Sequence, residues 1–144
     1  MDYKMTVFLD SNIILDILLK NSDFCDESKK VLKLADTNPI DFFISATSIT
    51  DIFYIAHKQA TNDEKQDVKK HLQDLLEIIS IAGIDESCIR NALNSSWTDF
   101  EDSVQHEVSI QIGADYIVTR NTDDYKTSII PAIAPADFLK KFDK

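Results

Sequence analysis

Short apolar runs separated by longer amphipathic stretches dominate the chain. Thr6-Val-Phe-Leu9, Phe42-Phe-Ile-Ser45, Ile78-Ile-Ser-Ile81 and Tyr116-Ile-Val-Thr119 are mostly β-branched or aromatic and do not alternate with polar residues. That pattern suits strands buried on both faces of a parallel sheet. A weaker run surrounds Ile129 to Ile133. Between the runs, apolar residues recur at helical spacing over Asn12 to Lys20, Glu27 to Ala35, Thr47 to Lys58 and Lys65 to Glu77. Glu86 to Leu93 reads as a short helix capped by Asp85, and Ala136 to Phe142 as a closing one. Thr98-Asp-Phe-Glu101 reads as a capping box opening a helix that ends at Gly113, a C′ glycine. Strands alternating with helices predict an α/β fold with a mainly parallel sheet of four to five strands.

The length of 144 residues predicts one domain, residues 1–144. With only Gly83 and Gly113 as glycines, the chain cannot build a Walker A loop or a dinucleotide fingerprint. Cys25 and Cys88 stand alone, which implies neither a zinc site nor a disulfide framework. Two lone cysteines without an apolar leader read as a reduced, cytoplasmic protein, and no run is long enough to span a membrane. The net charge of −10 argues against passive nucleic-acid binding through a basic surface. Aspartate outnumbers glutamate 19 to 6, and aspartate is a good hard-metal ligand as well as a good cap.

In a parallel sheet, ligands bind beyond the carboxyl ends of the strands. Asp10 follows the first run directly. Asp51 lies inside the helix after the second, and Asp124 comes shortly after the fourth. Asp99 and Asp102 share a face at the start of the helix before the fourth run. Converging carboxylates repel unless a cation neutralises them, and an all-oxygen set selects Mg²⁺ or Mn²⁺. Such a site polarises a phosphodiester and activates a bound water. Each acid taken alone also reads as a cap or turn residue, Asp99 as a partner of the helix dipole, and Asp124 as half of a solvated pair with Asp123.

Leu9-Asp-Ser-Asn-Ile-Ile-Leu-Asp16, Ser45-Ala-Thr-Ser-Ile-Thr-Asp51, Asp99-Phe-Glu-Asp102 and Ala114-Asp-Tyr-Ile-Val-Thr-Arg-Asn121 resemble, in order and separation, the successive motifs of the PIN-domain family. The resemblance covers nearly the whole chain. It implies a three-layer α/β/α sandwich whose acids bind Mg²⁺ or Mn²⁺ and cut RNA. Many members are toxins of toxin–antitoxin pairs, which implies an antitoxin protein as partner, and members often form homodimers. Asp10 and Asp102 match the first and third metal-site acids. Asp51 stands where the family most often has Glu. Asn121 occupies a position where many members carry Asp, leaving Asp124 as the nearest replacement. Asn12 resembles the asparagine that orients the first carboxylate or the substrate.

Around this set, Asp99 reads as a support for the Asp102 helix, Asp16 as solvated surface, and His106 as a partly exposed helix histidine. Arg120 reads as a phosphate contact or as an ion-pair partner of a nearby Asp. Ser45 and Thr47 read as caps of the helix they precede. Aromatic residues interleaved for base stacking are absent from the pattern. The chemistry expected is Mg²⁺- or Mn²⁺-dependent hydrolysis of RNA, with Asp10, Asp51, Asp102 and Asp124 at the metal. The rival expectation is a PIN-like binding module with a decayed site, favoured by Asp51 and Asn121. A phosphoacceptor role for Asp10 is weak, because an acidic pair at the amino end and a late lysine are missing.

Overall fold

The computed structural model describes residues 3–21 and 23–143. Five strands, β1 (Met5–Leu9), β2 (Ile40–Ser45), β3 (Ile79–Ala82), β4 (Tyr116–Val118) and β5 (Ala132–Ile133), form one sheet in the order β3-β2-β1-β4-β5. Every pairing is parallel. The side-chain period of two divides β1 cleanly: Val7 and Leu9 enter one core, Phe8 the other. The first core is covered by α1 (Ser11–Leu18), α2 (Cys25–Lys33), α3 (Ala46–Gln59), α4 (Val68–Leu75) and α7 (Pro135–Lys140). The second is covered by α5 (Glu86–Asn94) and α6 (Phe100–Gln111). The result is the expected three-layer α/β/α sandwich. No helix among the described residues is long and apolar enough to cross a membrane.

Two boundaries differ from the sequence pattern. The run around Ile129 yields only the two-residue β5, because Pro131 has no N–H to give a ladder, although its carbonyl still accepts from Ile117 at 2.9 Å. The α6 cap is Asp99, not Thr98. The Asp99 carboxylate accepts from the Asp102 backbone N–H at 2.9 Å, and an ionised acceptor is stronger than a hydroxyl. Gly113 ends α6 with φ +68°, the left-handed conformation that favours glycine.

Strand order sets the location of the site. The chain builds β1, β2 and β3 outward in one direction, then crosses by α5 and α6 to place β4 on the other side of β1. The connections leaving β1 and β4 therefore diverge, opening a crevice at their carboxyl ends. A helix that feeds a parallel strand starts at that same end, which brings the first turn of α6 to the crevice.

Candidate functional site

Asp10 sits where β1 becomes α1, and its backbone N–H continues the ladder by donating to Val118 at 3.0 Å. Its side chain does not cap α1. Three donors hold it instead: the Thr119 hydroxyl at 2.8 Å and Asn12 Nδ2 at 3.3 Å on one oxygen, and the Ser11 hydroxyl at 3.4 Å on the other. Thr119 is fully buried and also accepts from the Asn121 backbone N–H at 3.0 Å, so one hydroxyl ties the ends of β1 and β4 together.

Asp102 comes from the first turn of α6. Gln105, one turn on, donates to Ser48 at 3.0 Å, and Ser48 is bonded to the α3 cap Ser45 at 2.8 Å, which fixes α6 against the end of β2. The Asp102 carboxyl is pushed up to about 7 by burial first, then by the negative charges of Asp99, Asp124, Asp10 and Glu101. Asp99, Asp102, Asp123 and Asp124 line a cleft of about 680 Å³, with Trp97 and Lys126 in its wall. Glu101 is also held above the usual carboxylate range, by burial and then by Asp51, Asp99 and Asp10.

Asp51 is brought to a neighbouring cleft, beside Ser11 and Glu101. It lies about 9 Å along α3 from its cap, at ~1.5 Å per residue. The acids thus form a chain through space. Asp51 and Asp10 both act on Glu101, and Asp10 also acts on Asp102. Asn121 is exposed and touches the network through its backbone alone among the bonds described.

The sequence matches the family described as PIN domain over residues 6–123. The chain belongs to the PIN domain family. It is 24% identical over 131 residues to Ribonuclease VapC1 of Aquifex aeolicus (strain VF5), covering 85% of this chain and 86% of that one. Among solved structures it is similar to VapBC2 from Rickettsia felis bound to a promoter DNA fragment, with TM-score 0.65 and 16% identity over 90% of this chain and 98% of that one. It is also similar to a toxin–antitoxin complex from Klebsiella pneumoniae, with TM-score 0.66 and 18% identity over 90% and 97% of the two chains. At these identities the structural likenesses establish the fold.

Several residues of this PIN domain depart from the sequence expectations. Asp16 is not solvated surface: it is 3% exposed, accepts from Arg120 Nε at 2.6 Å and from Asn21 at 3.3 Å, and its carboxyl is raised chiefly by burial. The helical period places it on the inner face with Ile13, one turn before it, which a count from Asp10 alone obscures. Arg120 donates its Nε to that pair and lies 4.3 Å over the Phe24 ring, which is the ion-pair reading of this residue. His106 is buried, stacked on Trp97 at 4.7 Å, and accepts from the Ile129 N–H at 3.1 Å. Its imidazole is pushed down by burial.

Four residues near the acids were not singled out by spacing: Thr119, Glu101, Trp97 and Tyr125. A polar residue closing an apolar strand was the available signal for Thr119. Tyr125 is 2% exposed, and its phenol lies where the charges of Asp10, Asp102 and Asp124 act on it. Burial and those charges hold the phenol above its usual range.

The donor set suits a hard divalent cation: oxygens only, with the Asp102 carboxyl raised by burial first and then by the acids around it. Among the described residues no three His, Cys, Asp or Glu side chains converge closely enough to form a finished ligand group. The fit is therefore one of charge and chemistry.

Proposed function

We propose that this PIN domain is a divalent-metal-dependent ribonuclease that hydrolyses RNA phosphodiester bonds, and that it is the toxin of a toxin–antitoxin pair. The observation that carries the reading is the gathering of Asp99, Asp102, Asp123 and Asp124 on one cleft, with Asp10 and Glu101 near enough to act on Asp102 and Lys126 as the one cation of that lining. The likeness to Ribonuclease VapC1 supports the reaction class, and the likeness to the Klebsiella pneumoniae toxin–antitoxin complex supports an antitoxin partner.

Asp10, Asp102 and Asp124 would hold Mg²⁺ or Mn²⁺, with Asp51 and Glu101 adding charge from the adjoining cleft. When bound, the cation supplies Lewis-acid polarisation of the phosphodiester and lowers the pKa of water. The chain's own work is positional. Thr119, Asn12 and Ser11 fix the Asp10 carboxylate so that it spends little side-chain entropy on binding, and Asp99 aligns the α6 turn that carries Asp102. Ion binding would also drive the proton from Asp102, which converts it from a neutral acid into a ligand.

A second reading is a non-catalytic PIN module. It is favoured by the lack of a finished three-residue ligand group among the described residues and by the exposed position of Asp51. Calorimetric titration with Mn²⁺, on wild type beside Asp10→Asn, separates the two. The ribonuclease reading expects stoichiometric binding that the variant loses, together with Mn²⁺-dependent RNA cleavage that Asp102→Asn abolishes without unfolding. Equal, weak Mn²⁺ binding in both proteins would favour the binding module.

A further inference from the structure

We propose that Lys126 is the residue that receives a backbone phosphate of the substrate in this cleft, an assignment that rests on the ribonuclease reading for its ligand.

Lys126 follows Asp123, Asp124 and Tyr125 directly, at the close of the single turn Thr122–Tyr125. Its base is fixed. The backbone N–H donates to the Asp123 carbonyl at 3.3 Å, and the neighbouring Tyr125 is buried in the second core. Its side chain is exposed and lines the cleft with Asp99, Asp102, Asp123 and Asp124. Elsewhere on the surface, cations close on nearby acids: Lys70 on Asp74 at 2.9 Å and Arg90 on Glu86 at 2.7 Å. Lys126 shares its cleft with four aspartates, yet it is in none of the ion pairs found among the described residues. The ammonium is thus anchored at its root and uncommitted at its head.

The rest of the wall suits the same ligand. Ser96, Thr98 and Thr127 line the cleft with exposed side chains, so their hydroxyls stand beside the lysine as neutral donors. A phosphate asks for a positive charge and for donors to its oxygens, and this wall offers both. RNA meeting a chain of net charge −10 is repelled. Screening cuts the reach of exposed charges to about 8 Å at physiological salt, so a cation has to stand in the cleft itself to help. Lysines on other elements, such as Lys58 at the end of α3, do not meet that condition. The acids of the wall suit a metal ion, and Lys126 suits the anion that comes with it.

A labelled RNA hexamer is titrated by anisotropy with wild type, Lys126→Met and Lys58→Met, which loses equal charge outside the cleft. Ca²⁺ is present to permit binding without turnover, and melting curves check that each variant is folded. Lys126→Met should bind about tenfold more weakly at low salt. Its slope of log affinity against log salt should be shallower by about 0.7, the share of one phosphate contact on a single strand. Lys58→Met should keep the wild-type slope, and Lys126→Arg should restore most of the affinity. Mn²⁺ calorimetry should move the other way, equal or up to about fivefold tighter in Lys126→Met, because a cation has left the wall. The assignment is overturned by a wild type that does not bind the hexamer, or by a Lys126→Met that keeps the wild-type affinity and slope. Weakened Mn²⁺ binding in Lys126→Met also overturns it, since the lysine would then be ordering the acids. Binding through Lys126 without cleavage in Mn²⁺ would sink the ribonuclease reading and keep the contact. Cleavage by Lys126→Met with the wild-type KM would do the reverse.

Discussion

Asp16 and Asp102 are both drawn out of water within the same small domain, and the fold treats them oppositely. Asp16 is nearly sealed and is given a guanidinium at 2.6 Å and an amide. Asp102 is half-buried and is given more negative charge. A carboxylate that serves only the fold is matched from within the chain, because an unpaired buried charge is costly. A carboxylate left unmatched among others is a standing instability that a ligand can relieve. The contrast locates function more sharply than the number of acids does, since 19 aspartates are spread along the sequence.

The comparison can be broken at either end. Removing the cation of the matched pair, Arg120→Ala, should have the largest effect. It strands Asp16 in the first core and should cost about 3 kcal/mol in urea unfolding. A loss below about 1 kcal/mol would mean that Asp16 protonates at little cost or opens to water.

Next comes the support of the cluster. Thr119→Val keeps the buried volume and removes the hydroxyl that orients Asp10. It should weaken Mn²⁺ by about tenfold in a calorimetric titration, the usual scale for a group that orients a metal ligand.

A smaller effect is the pH response of the metal-free protein. The folded Asp102 carboxyl binds its proton more tightly than the unfolded one, about 7 against 3.8, so its contribution to stability is whole below pH 3.8 and is lost as pH rises towards 7. In EDTA the Tm should fall between about pH 4 and 7. Asp102→Asn should flatten that fall and melt higher at neutral pH, whereas added Mn²⁺ should raise wild type alone. Identical profiles for the two proteins would remove the contrast with Asp16. The smallest change is Asp99→Asn, which keeps a good cap and deletes one charge. It should lower the Asp102 midpoint, followed by NMR, by a fraction of a pH unit.

The fold was legible because the buried runs of a parallel sheet are apolar without alternation and end at polar residues, as β1, β2 and β4 do at Asp10, Ser45 and Thr119. Where the run contains Pro131, hydropathy overstated the strand, since hydropathy carries no account of donors. Asp10 and Asp102 could be picked out because strand ends and helix starts are fixed by local signals. Asp51 was harder: it lines a cleft with Ser11 and Glu101, and apolar spacing does not report such neighbours from other elements. Asp16, His106 and Trp97 depended on contacts across the chain, with Arg120, Ile129 and the α6 face, which no local window contains.

The bond between Thr119 and Asp10 spans 109 positions. At an ordinary elongation rate of roughly 5–20 residues per second, the two residues are made roughly 5–20 seconds apart. Until β4 is added beside β1, the first acid has neither its strand neighbour nor its main hydroxyl partner. A nascent chain of this protein therefore carries Asp10 without these partners over the 109 residues that precede Thr119, and strand order delays the assembly of the acidic cleft.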